Sequence, residues 1–252
     1  MKDKDGTKQE KIYAYGKHVL SEALRENPRA VKKVFLDPSF KDAPIKTLLE
    51  ENNISTSPLR AREAGFVSRE TVHQGVITLI DASLLSISLD EFLSNIDTDT
   101  HPALVLLDEI QDPHNVGAII RSAAAFGIGG VLIPRYNQAG ITAAVIKVSA
   151  GMVFKVPIIY IANVNHALRM LKKAGFWIYG LDGAGTQQLN NEPFDAPTVF
   201  VAGNEGAGIR KKTSELCDVL LSIPIEQQCE SLNVASATAV AFYAWKQARK
   251  NI

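Results

Sequence analysis

Short runs of apolar residues recur along the chain, and most are separated by segments whose apolar residues have helical spacing. From about residue 103 onward, six of these runs predict buried strands: 103–107, 130–133, 156–160, 177–181, 198–202 and 219–223. The helical patterns fall at 116–126, 143–150, 164–174 and 233–250. Near-continuous apolar strands that alternate with helices are typical of a parallel sheet covered on both faces, so this part is predicted to be an α/β domain.

A smaller α/β module is predicted before this domain. Its helices are expected at 19–24 and 43–52, and its strands at 31–36 and 75–80. The stretch SNIDTDTHP that follows is rich in Asp, Thr and Pro, which is typical of a connecting segment. We therefore predict three parts: a module over 12–81, a linker over 82–102 and the larger domain over 103–252.

Composition narrows the class of protein. Hydrophobic residues make up 46% of the chain, which is enough for a substantial core and unlike a disordered protein. The apolar runs are far shorter than the roughly 20 residues of a membrane helix, and the charged start lacks the apolar region of a secretory signal. Cys217 and Cys229 form no CxxC motif and do not cluster with the five histidines, so no metal site is expected and the cytoplasm is the favoured compartment.

Charge leaves the nature of the partner open. The chain has 27 basic and 27 acidic residues, which argues against a protein that coats nucleic acid non-specifically. Residues 1–36 hold nine Lys or Arg and five Asp or Glu, so nine minus five gives a local charge of +4. A specific RNA partner is compatible with that balance, although a solvated surface is the simpler explanation on composition alone.

The helix expected after the first strand of the larger domain carries two candidate functional residues. Asn115 lies at its start, where capping the helix is the simpler role. Arg121 lies among small apolar residues, so we expect it to be buried and to bind an anion such as phosphate. A solvated helix face is the alternative for Arg121.

Two further clusters lie near the end of the chain. The glycine-rich turn VFVAGNEGAGIR follows a late strand, whereas a dinucleotide-binding fold has GxGxxG after its first strand. Glu205 lies in that turn, at a strand end where active-site groups gather. Ser231 and Asn233 precede the last helix, either as caps or as part of a loop that holds a ligand at a helix N-terminus.

Together these segments resemble the three signature motifs of the SpoU (TrmH) family, within the SPOUT class of methyltransferases. The motifs are LDEIQDPHNVGAIIRSAAAFGI, VFVAGNEGAGI and LSIPIEQQCESLNVASATAVAFY, in the family's order and spacing. In the smaller module, YGKHVLSEAL and TVHQGVI resemble the substrate-binding domain of the branch that methylates a guanosine of 23S ribosomal RNA. That domain is similar to ribosomal proteins of the L30e and L7Ae kind.

The resemblance implies an α/β fold with a trefoil-knotted C-terminal methyltransferase domain built on a parallel sheet, a small N-terminal L30e/L7Ae-like domain, and a homodimer. It implies S-adenosylmethionine as the cofactor. By motif position it implies catalytic roles for Asn115, Arg121, Glu205, Ser231 and Asn233. It implies cofactor contacts from Gly203, Ile223, Pro224, Ile225 and Leu232. The third motif departs from the family pattern, because Ile225 replaces the usual methionine and Gln227 the usual glycine, so we expect this loop to differ in detail.

The function that the resemblance implies is S-adenosylmethionine-dependent methylation of a ribose 2′-hydroxyl in structured RNA. A guanosine of 23S ribosomal RNA is the favoured target. Arg121 is expected to bind the adjacent phosphate and orient the hydroxyl, since a guanidinium is a poor proton acceptor. Three alternatives stay open: a transfer RNA methyltransferase, a non-catalytic RNA-binding protein with the same fold, and an ordinary nucleotide-binding α/β enzyme.

Overall fold

A computed structural model describes residues 11–61, 65, 73–226 and 228–249. The strands are β1 (Lys11–Tyr15), β2 (Val31–Leu36), β3 (Thr56–Pro58), β4 (Val76–Asp81), β5 (Ser86–Ile87), β6 (Ala103–Asp108), β7 (Gly130–Pro134), β8 (Ile158–Ile161), β9 (Trp177–Leu181), β10 (Gln187–Gln188), β11 (Thr198–Gly203) and β12 (Val219–Ser222). The α-helices are α1 (Lys17–Glu26), α2 (Ala43–Glu51), α3 (Leu89–Asn95), α4 (Pro113–Phe126), α5 (Ala143–Val148), α6 (Val164–Lys173), α7 (Lys211–Ser214) and α8 (Val234–Ala248).

The chain folds into two compact units, and the first is discontinuous in sequence. It comprises the residues up to Ser86 together with Ile141–Lys155, while the second comprises Ile87–Gly140 and Val156–Ile252. The helix predicted at 143–150 is present as α5, but it belongs to the first unit rather than to the larger domain. Its Lys147 ammonium lies 5.6 Å from the centre of the Tyr15 ring on β1. Apolar spacing identifies a helix but does not say which sheet it packs against, which is why the sequence misplaced it.

The first unit is built on a mixed four-stranded sheet in the order β1-β4-β2-β3. Both β1 and β2 run antiparallel to β4, and β3 runs parallel to β2. The turn before α1 meets the turn before β4: the Lys17 backbone N–H donates to the Gln74 side-chain oxygen at 3.0 Å, and the Gly75 N–H donates to His73 Nδ1 at 3.1 Å. The described parts of the two segments that resemble a substrate-binding domain, 15–24 and 73–77, therefore lie side by side.

The second unit contains an eight-stranded sheet in the order β10-β12-β9-β11-β6-β7-β8-β5. All neighbours from β10 to β8 pair in parallel, which confirms the predicted parallel α/β architecture. Successive residues of β11 face opposite sides of the sheet. Val199 and Val201 pack in one cluster with Leu168 of α6, whereas the Phe200 ring lies 5.8 Å from the Phe242 ring of α8. Helices thus cover both faces, and the central strands are fully buried.

Part of the segment that the sequence predicts to be a linker is regular structure. The helix α3 lies within it, capped by the Ser88 hydroxyl, which accepts a hydrogen bond from the Glu91 N–H at 3.2 Å. Leu89 and Phe92 are buried in the core of the second unit. The polar composition begins only at Ser94, so the linker interpretation extended too far toward the N-terminus. Within the described residues, no helix is long and apolar enough to cross a bilayer.

Candidate active site

The site forms where β6 and β11 end side by side in the second unit. These strands are parallel neighbours, and their last residues, Asp108 and Gly203, are paired in register. The carboxyl edge of a parallel sheet is where α/β proteins bind their ligands, because the loops leave the strands there. Both loops carry residues that the sequence singled out.

The loop after β11 closes tightly on itself. The backbone N–H groups of Asn204 and Gly208 each donate to the other's carbonyl at 2.9 Å, and the Asn204 side-chain oxygen accepts from the Gly206 and Ala207 N–H groups. A Cβ atom on Gly203 would lie only 2.4 Å from the Gly208 carbonyl carbon and the Ile209 nitrogen. Glycine at position 203 is therefore required by close backbone approach rather than by a positive φ angle.

A cluster of charged groups fastens this loop to the end of β6. The Asp108 carboxylate is fully buried and accepts from Arg210 Nε at 2.9 Å, while Arg210 Nη1 donates to Glu109 Oε1 at 3.0 Å. The hydrogen bond that Arg210 donates to Asp108 raises the pKa of the Arg210 guanidinium above its ordinary value. Removing Arg210 would leave the fully buried Asp108 carboxylate without a compensating charge, so this ion pair holds both loops in place. This ion pair was not predicted from the sequence, where its signal was an Asp-Glu pair directly at the end of a strand.

One chain of side-chain hydrogen bonds joins the three motifs. Asn115 Nδ2 donates to Glu205 Oε1 at 2.8 Å, and Asn233 Nδ2 donates to Asn115 Oδ1 at 2.9 Å. The Asn233 oxygen accepts from the Ala235 and Ser236 N–H groups at the start of α8. Because backbone N–H groups fix the Asn233 amide, they fix in turn the Asn115 amide, whose N–H then faces the Glu205 carboxylate.

The capping interpretations have different outcomes for the two asparagines. Asp112, not Asn115, caps α4, because the Asp112 carboxylate accepts from the His114 N–H at 2.8 Å. Asn115 lies inside the first turn and is buried. Asn233 does cap α8 and also takes part in the hydrogen-bond chain, so its structural and functional interpretations are compatible. Ser231 is exposed and does not cap the helix.

The expectation that Arg121 is buried is wrong. Arg121 is exposed, and no hydrogen bond or ion pair of its side chain is found within the described parts of the chain. The buried residues of α4 follow helical spacing through Val116, Ile119, Ile120 and Ala123, which leaves position 121 on the opposite face. Small apolar neighbours do not bury a side chain that points away from the sheet. Arg121 is therefore not brought into contact with Asn115, Glu205 or Asn233 within one chain.

A cavity of about 250 Å³ lies between the loop after β11 and the segment that precedes α8. Four of the five expected cofactor residues line it, together with two expected catalytic residues: Gly203, Ile223, Ile225, Leu232, Glu205 and Ser231. Pro224 is not among the lining residues. Asp182 and Gly183, which follow β9, also line the cavity, and their place directly after a strand was the missed signal. Gln227, which replaces the family's glycine, lies outside the described residues.

The lining of this cavity favours a ligand with an apolar ring and a positive charge. Ile225 and Leu232 are each 40% exposed and line the cavity, so they give it apolar walls that a ligand can contact. The charged side chains among its described lining residues are the carboxylates of Asp182, Glu205 and Glu230. None of these lining residues is basic. Apolar walls with a few converging polar groups are typical of small-molecule sites.

Two family models match the chain. The SpoU rRNA Methylase family matches residues 102–243, and the RNA 2′-O ribose methyltransferase substrate binding family matches residues 13–84. The chain is 35% identical to the 23S rRNA (guanosine-2′-O-)-methyltransferase RlmB of Neisseria meningitidis, over 93% of this chain and 94% of the relative. It is 34% identical to RlmB of Pseudomonas putida, over 93% and 94% of the two chains.

A solved structure shares the fold. The SpoU methyltransferase AviRb from Streptomyces viridochromogenes, in complex with AdoMet, is similar with a TM-score of 0.82 and 22% identity, covering 96% of this chain and 92% of that chain. A putative RNA methyltransferase of the TrmH family from Porphyromonas gingivalis is similar with a TM-score of 0.74 and 24% identity, over 94% and 90%. At these identities the likeness establishes the architecture alone.

Proposed function

Because the chain belongs to the SpoU rRNA methylase family, we propose that it transfers a methyl group from S-adenosylmethionine to the ribose 2′-hydroxyl of a guanosine in 23S ribosomal RNA. The observation that carries the proposal is the hydrogen-bond chain from Asn233 through Asn115 to Glu205, since it unites all three motifs beside one cavity. An ordinary nucleotide-binding enzyme has no need of that arrangement.

The cavity beside this chain is the proposed cofactor site. S-adenosylmethionine, when bound, supplies an electrophilic methyl group on a positively charged sulfur. Ile223, Ile225 and Leu232 offer apolar contacts to its adenine, and Gly203 lets the backbone of the loop approach closely. Pro224 restricts the backbone between the two isoleucines. The surplus of carboxylates in the lining suits a sulfonium cation, which a basic lining would repel.

The remaining residues position the RNA and handle the hydroxyl proton. Glu205 is exposed at the cavity, and its carboxylate is the proposed acceptor of that proton, directly or through water. Asn115 and Asn233 hold Glu205 in position, and Ser231 is placed to contact ribose or cofactor. Arg121 is proposed to bind the adjacent phosphate, for which a planar guanidinium is well suited.

The test is methylation of a defined RNA. We expect the full chain, with S-adenosylmethionine, to form 2′-O-methylguanosine at a single site in an unmethylated 23S ribosomal RNA transcript. Nuclease digestion followed by mass spectrometry identifies the modified nucleoside and its position. Methylation of a transfer RNA transcript instead would favour the transfer RNA alternative. Cofactor binding without transfer to either RNA would favour the non-catalytic one.

The exposed face of the second unit supports a homodimer. Val240 and Tyr243 on α8 are 40% and 54% exposed, and the Phe126 ring of α4 packs edge-on against Tyr243 with ring centres 6.1 Å apart. Apolar side chains on adjoining helices are typical of subunit interfaces. Arg121 is exposed and lies on α4, the helix that carries Phe126, and it is proposed to serve a site shared between subunits.

Light scattering checks this assembly. The parent chain is expected to have twice the 27.4 kDa mass of one chain at micromolar concentration. Tyr243→Glu places a charge on the proposed interface and should give a monomer. Trp177→Glu is the matched control, since Trp177 is 46% exposed and lies on β9 rather than on α4 or α8. A monomeric parent, or equal effects of the two variants, would contradict the dimer.

Three further features are proposed on the same basis. Residues 12–81 are proposed to bind RNA as an L30e/L7Ae-like module, and the second unit, which includes α3 but not Ile141–Lys155, is proposed to be the methyltransferase domain. The chain is proposed to be knotted as a trefoil, and the sharing of one cavity between the loop after β11 and the segment before α8 supports this. The proposed place of action is the cytoplasm, in keeping with a ribosomal RNA substrate. Because Ile141–Lys155 packs with the first unit, removing residues 12–81 alone would expose its buried side chains.

A further inference from the structure

A second concave surface lies on the carboxyl edge of the sheet, beyond the cofactor cavity. It encloses about 360 Å³ and is lined by the loop after β7, the loop after β8 and the start of α7. We name it the basic cleft, defined by Tyr136, Asn137, Asn163, Lys211 and Lys212. All of these residues belong to the second unit. None of them lies in the three signature motifs, and neither the cofactor nor the proton transfer uses them.

The charge of the basic cleft is positive. Its described lining residues include Arg210, Lys211 and Lys212 and no carboxylate. The Arg210 charge is balanced by Asp108 and Glu109, whereas the ammonium groups of Lys211 and Lys212 form no ion pair within the described residues. Two uncompensated cations on one concave wall attract a polyanion, and a short helix carries them in fixed relation to each other.

The loops after β7 and β8 offer an aromatic ring and amides to the basic cleft. Tyr136 is 73% exposed, the largest exposure among the large hydrophobic side chains that are exposed in the described residues. Directly before it, the Arg135 guanidinium lies 5.2 Å from the centre of the Tyr160 ring. Exposed aromatic rings beside cations are the features with which proteins bind single-stranded RNA, through base stacking and phosphate contacts. The amides of Asn137 and Asn163 add hydrogen-bonding groups of both polarities.

The basic cleft and the cofactor cavity are adjacent along the chain and opposite in charge. Gly208 lines the cavity and Arg210 lines the cleft, so one short loop separates them. The cavity has carboxylates and suits a cation, while the cleft has lysines and suits an anion. The Arg210 ion pair with Asp108 holds in place the loop that carries residues of both surfaces. This separation lets one edge of the sheet hold a cationic cofactor and an anionic strand together.

We infer that the basic cleft binds the sugar–phosphate backbone of the RNA strand next to the methylated nucleotide, with an unpaired base stacked on Tyr136; the inference rests on the proposed function. Lys211 and Lys212 contact phosphates of that strand. The cleft thereby sets which unpaired nucleotides can reach the cofactor cavity. The RNA is single-stranded there, because a stacked base must leave its helix.

The lysine contribution is tested by binding to an unmethylated 23S ribosomal RNA transcript at several salt concentrations. Lys211→Ala/Lys212→Ala is expected to weaken binding on the order of tenfold, since each lysine contacts a phosphate directly. It should also reduce the slope of log affinity against log salt by about 1.4, because each phosphate contact to a single strand contributes about 0.7. Arg169→Ala/Lys173→Ala removes two exposed charges from the later half of α6 and should change neither quantity by comparable amounts.

The aromatic contribution has a different signature. Tyr136→Ala is expected to weaken binding about tenfold without changing the salt slope, since a stacking contact releases no counterions. Tyr136→Phe keeps the ring and should bind like the parent. The affinity for S-adenosylmethionine should remain unchanged in all of these variants. Unchanged RNA affinity and slope in the lysine variant, or loss of its cofactor binding together with its RNA binding, would overturn the inference.

Its failure is distinguishable from failure of the proposed function. A parent chain that methylates the transcript, beside a lysine variant that binds RNA normally, refutes the cleft alone. A parent chain that binds the transcript with the expected slopes but transfers no methyl group refutes the methylation and leaves the cleft as an RNA site.

Discussion

Replacing Arg121 by alanine is expected to lower single-turnover methyl transfer by about 100-fold to 1000-fold, with the affinity for S-adenosylmethionine nearly unchanged. Arg121 is exposed, and alanine in its place breaks no hydrogen bond or ion pair within the described residues. The cofactor cavity is lined by other elements, and its cationic ligand would repel a guanidinium. The expected loss corresponds to a charged contact, worth about 3 to 4 kcal/mol, that acts mainly in the transition state.

Two comparisons sharpen this experiment. Arg121→Lys should recover little activity, because an ammonium does not reproduce the planar two-point contact of a guanidinium with phosphate. If Arg121 only lies on a solvated helix face, its replacement should leave the rate of methyl transfer almost unchanged. Single-turnover rates with saturating cofactor separate the two interpretations. A variant within about threefold of the parent rate, a difference of less than about 0.7 kcal/mol, would show that Arg121 takes no part in methyl transfer.

Mixing inactive variants tests whether Arg121 acts across the dimer. If each site combines Arg121 of one subunit with Glu205 of its partner, a dimer of Arg121→Ala and Glu205→Ala chains has one intact site. Half of the dimers in an equimolar mixture are mixed, so about one quarter of the parent activity should return. If both residues serve the site of their own chain, the mixture stays inactive.

Most strands and most helices of both units followed from apolar periodicity, because burial on both faces of a parallel sheet leaves continuous apolar runs. The strands β1, β3, β5 and β10 were missed: β1 has the mixed composition KIYAY, and the other three are only two or three residues long. Apolar periodicity also could not show that α5 belongs to the first unit. Which sheet a helix joins depends on contacts that are distant in sequence.

The sequence predicted which residues form the site but not how they are arranged. Motif positions placed Asn115, Glu205 and Asn233 in one site, and they proved to be hydrogen-bonded across 90 and 118 residues of sequence. No pattern indicated that Asn115 bridges the other two, or that Arg210 fastens the loop to Asp108. Arg121 was wrongly predicted to be buried, because the small apolar residues around it in sequence were taken as evidence of burial. Orientation on a helix depends on phase, which the positions of the buried residues would have given.

Gly203→Ala is expected to weaken S-adenosylmethionine binding at least tenfold and to lower methyl transfer on the order of 100-fold. The added Cβ would lie 2.4 Å from the carbonyl carbon of Gly208 and the nitrogen of Ile209. Both are backbone atoms, so no side chain can rotate away, and the loop must open. Overpacking of this kind costs about 1 to 3 kcal/mol, and a shift of about 1 Å in a catalytic group can cost 100-fold in rate.

The opening of this loop would spread through the site, which is why both binding and rate should fall. The paired hydrogen bonds between Asn204 and Gly208 would break, and Glu205, which lies between them in sequence, would leave the Asn115 amide. Gly206→Ala is the matched control in the same loop, since a Cβ there meets nothing closer than the Asn204 side-chain oxygen at 3.7 Å. Isothermal titration with S-adenosylmethionine and thermal unfolding are measured on both variants. Cofactor affinity of a folded Gly203→Ala chain within about threefold of the Gly206→Ala chain would show that the close backbone approach does not shape the cofactor cavity.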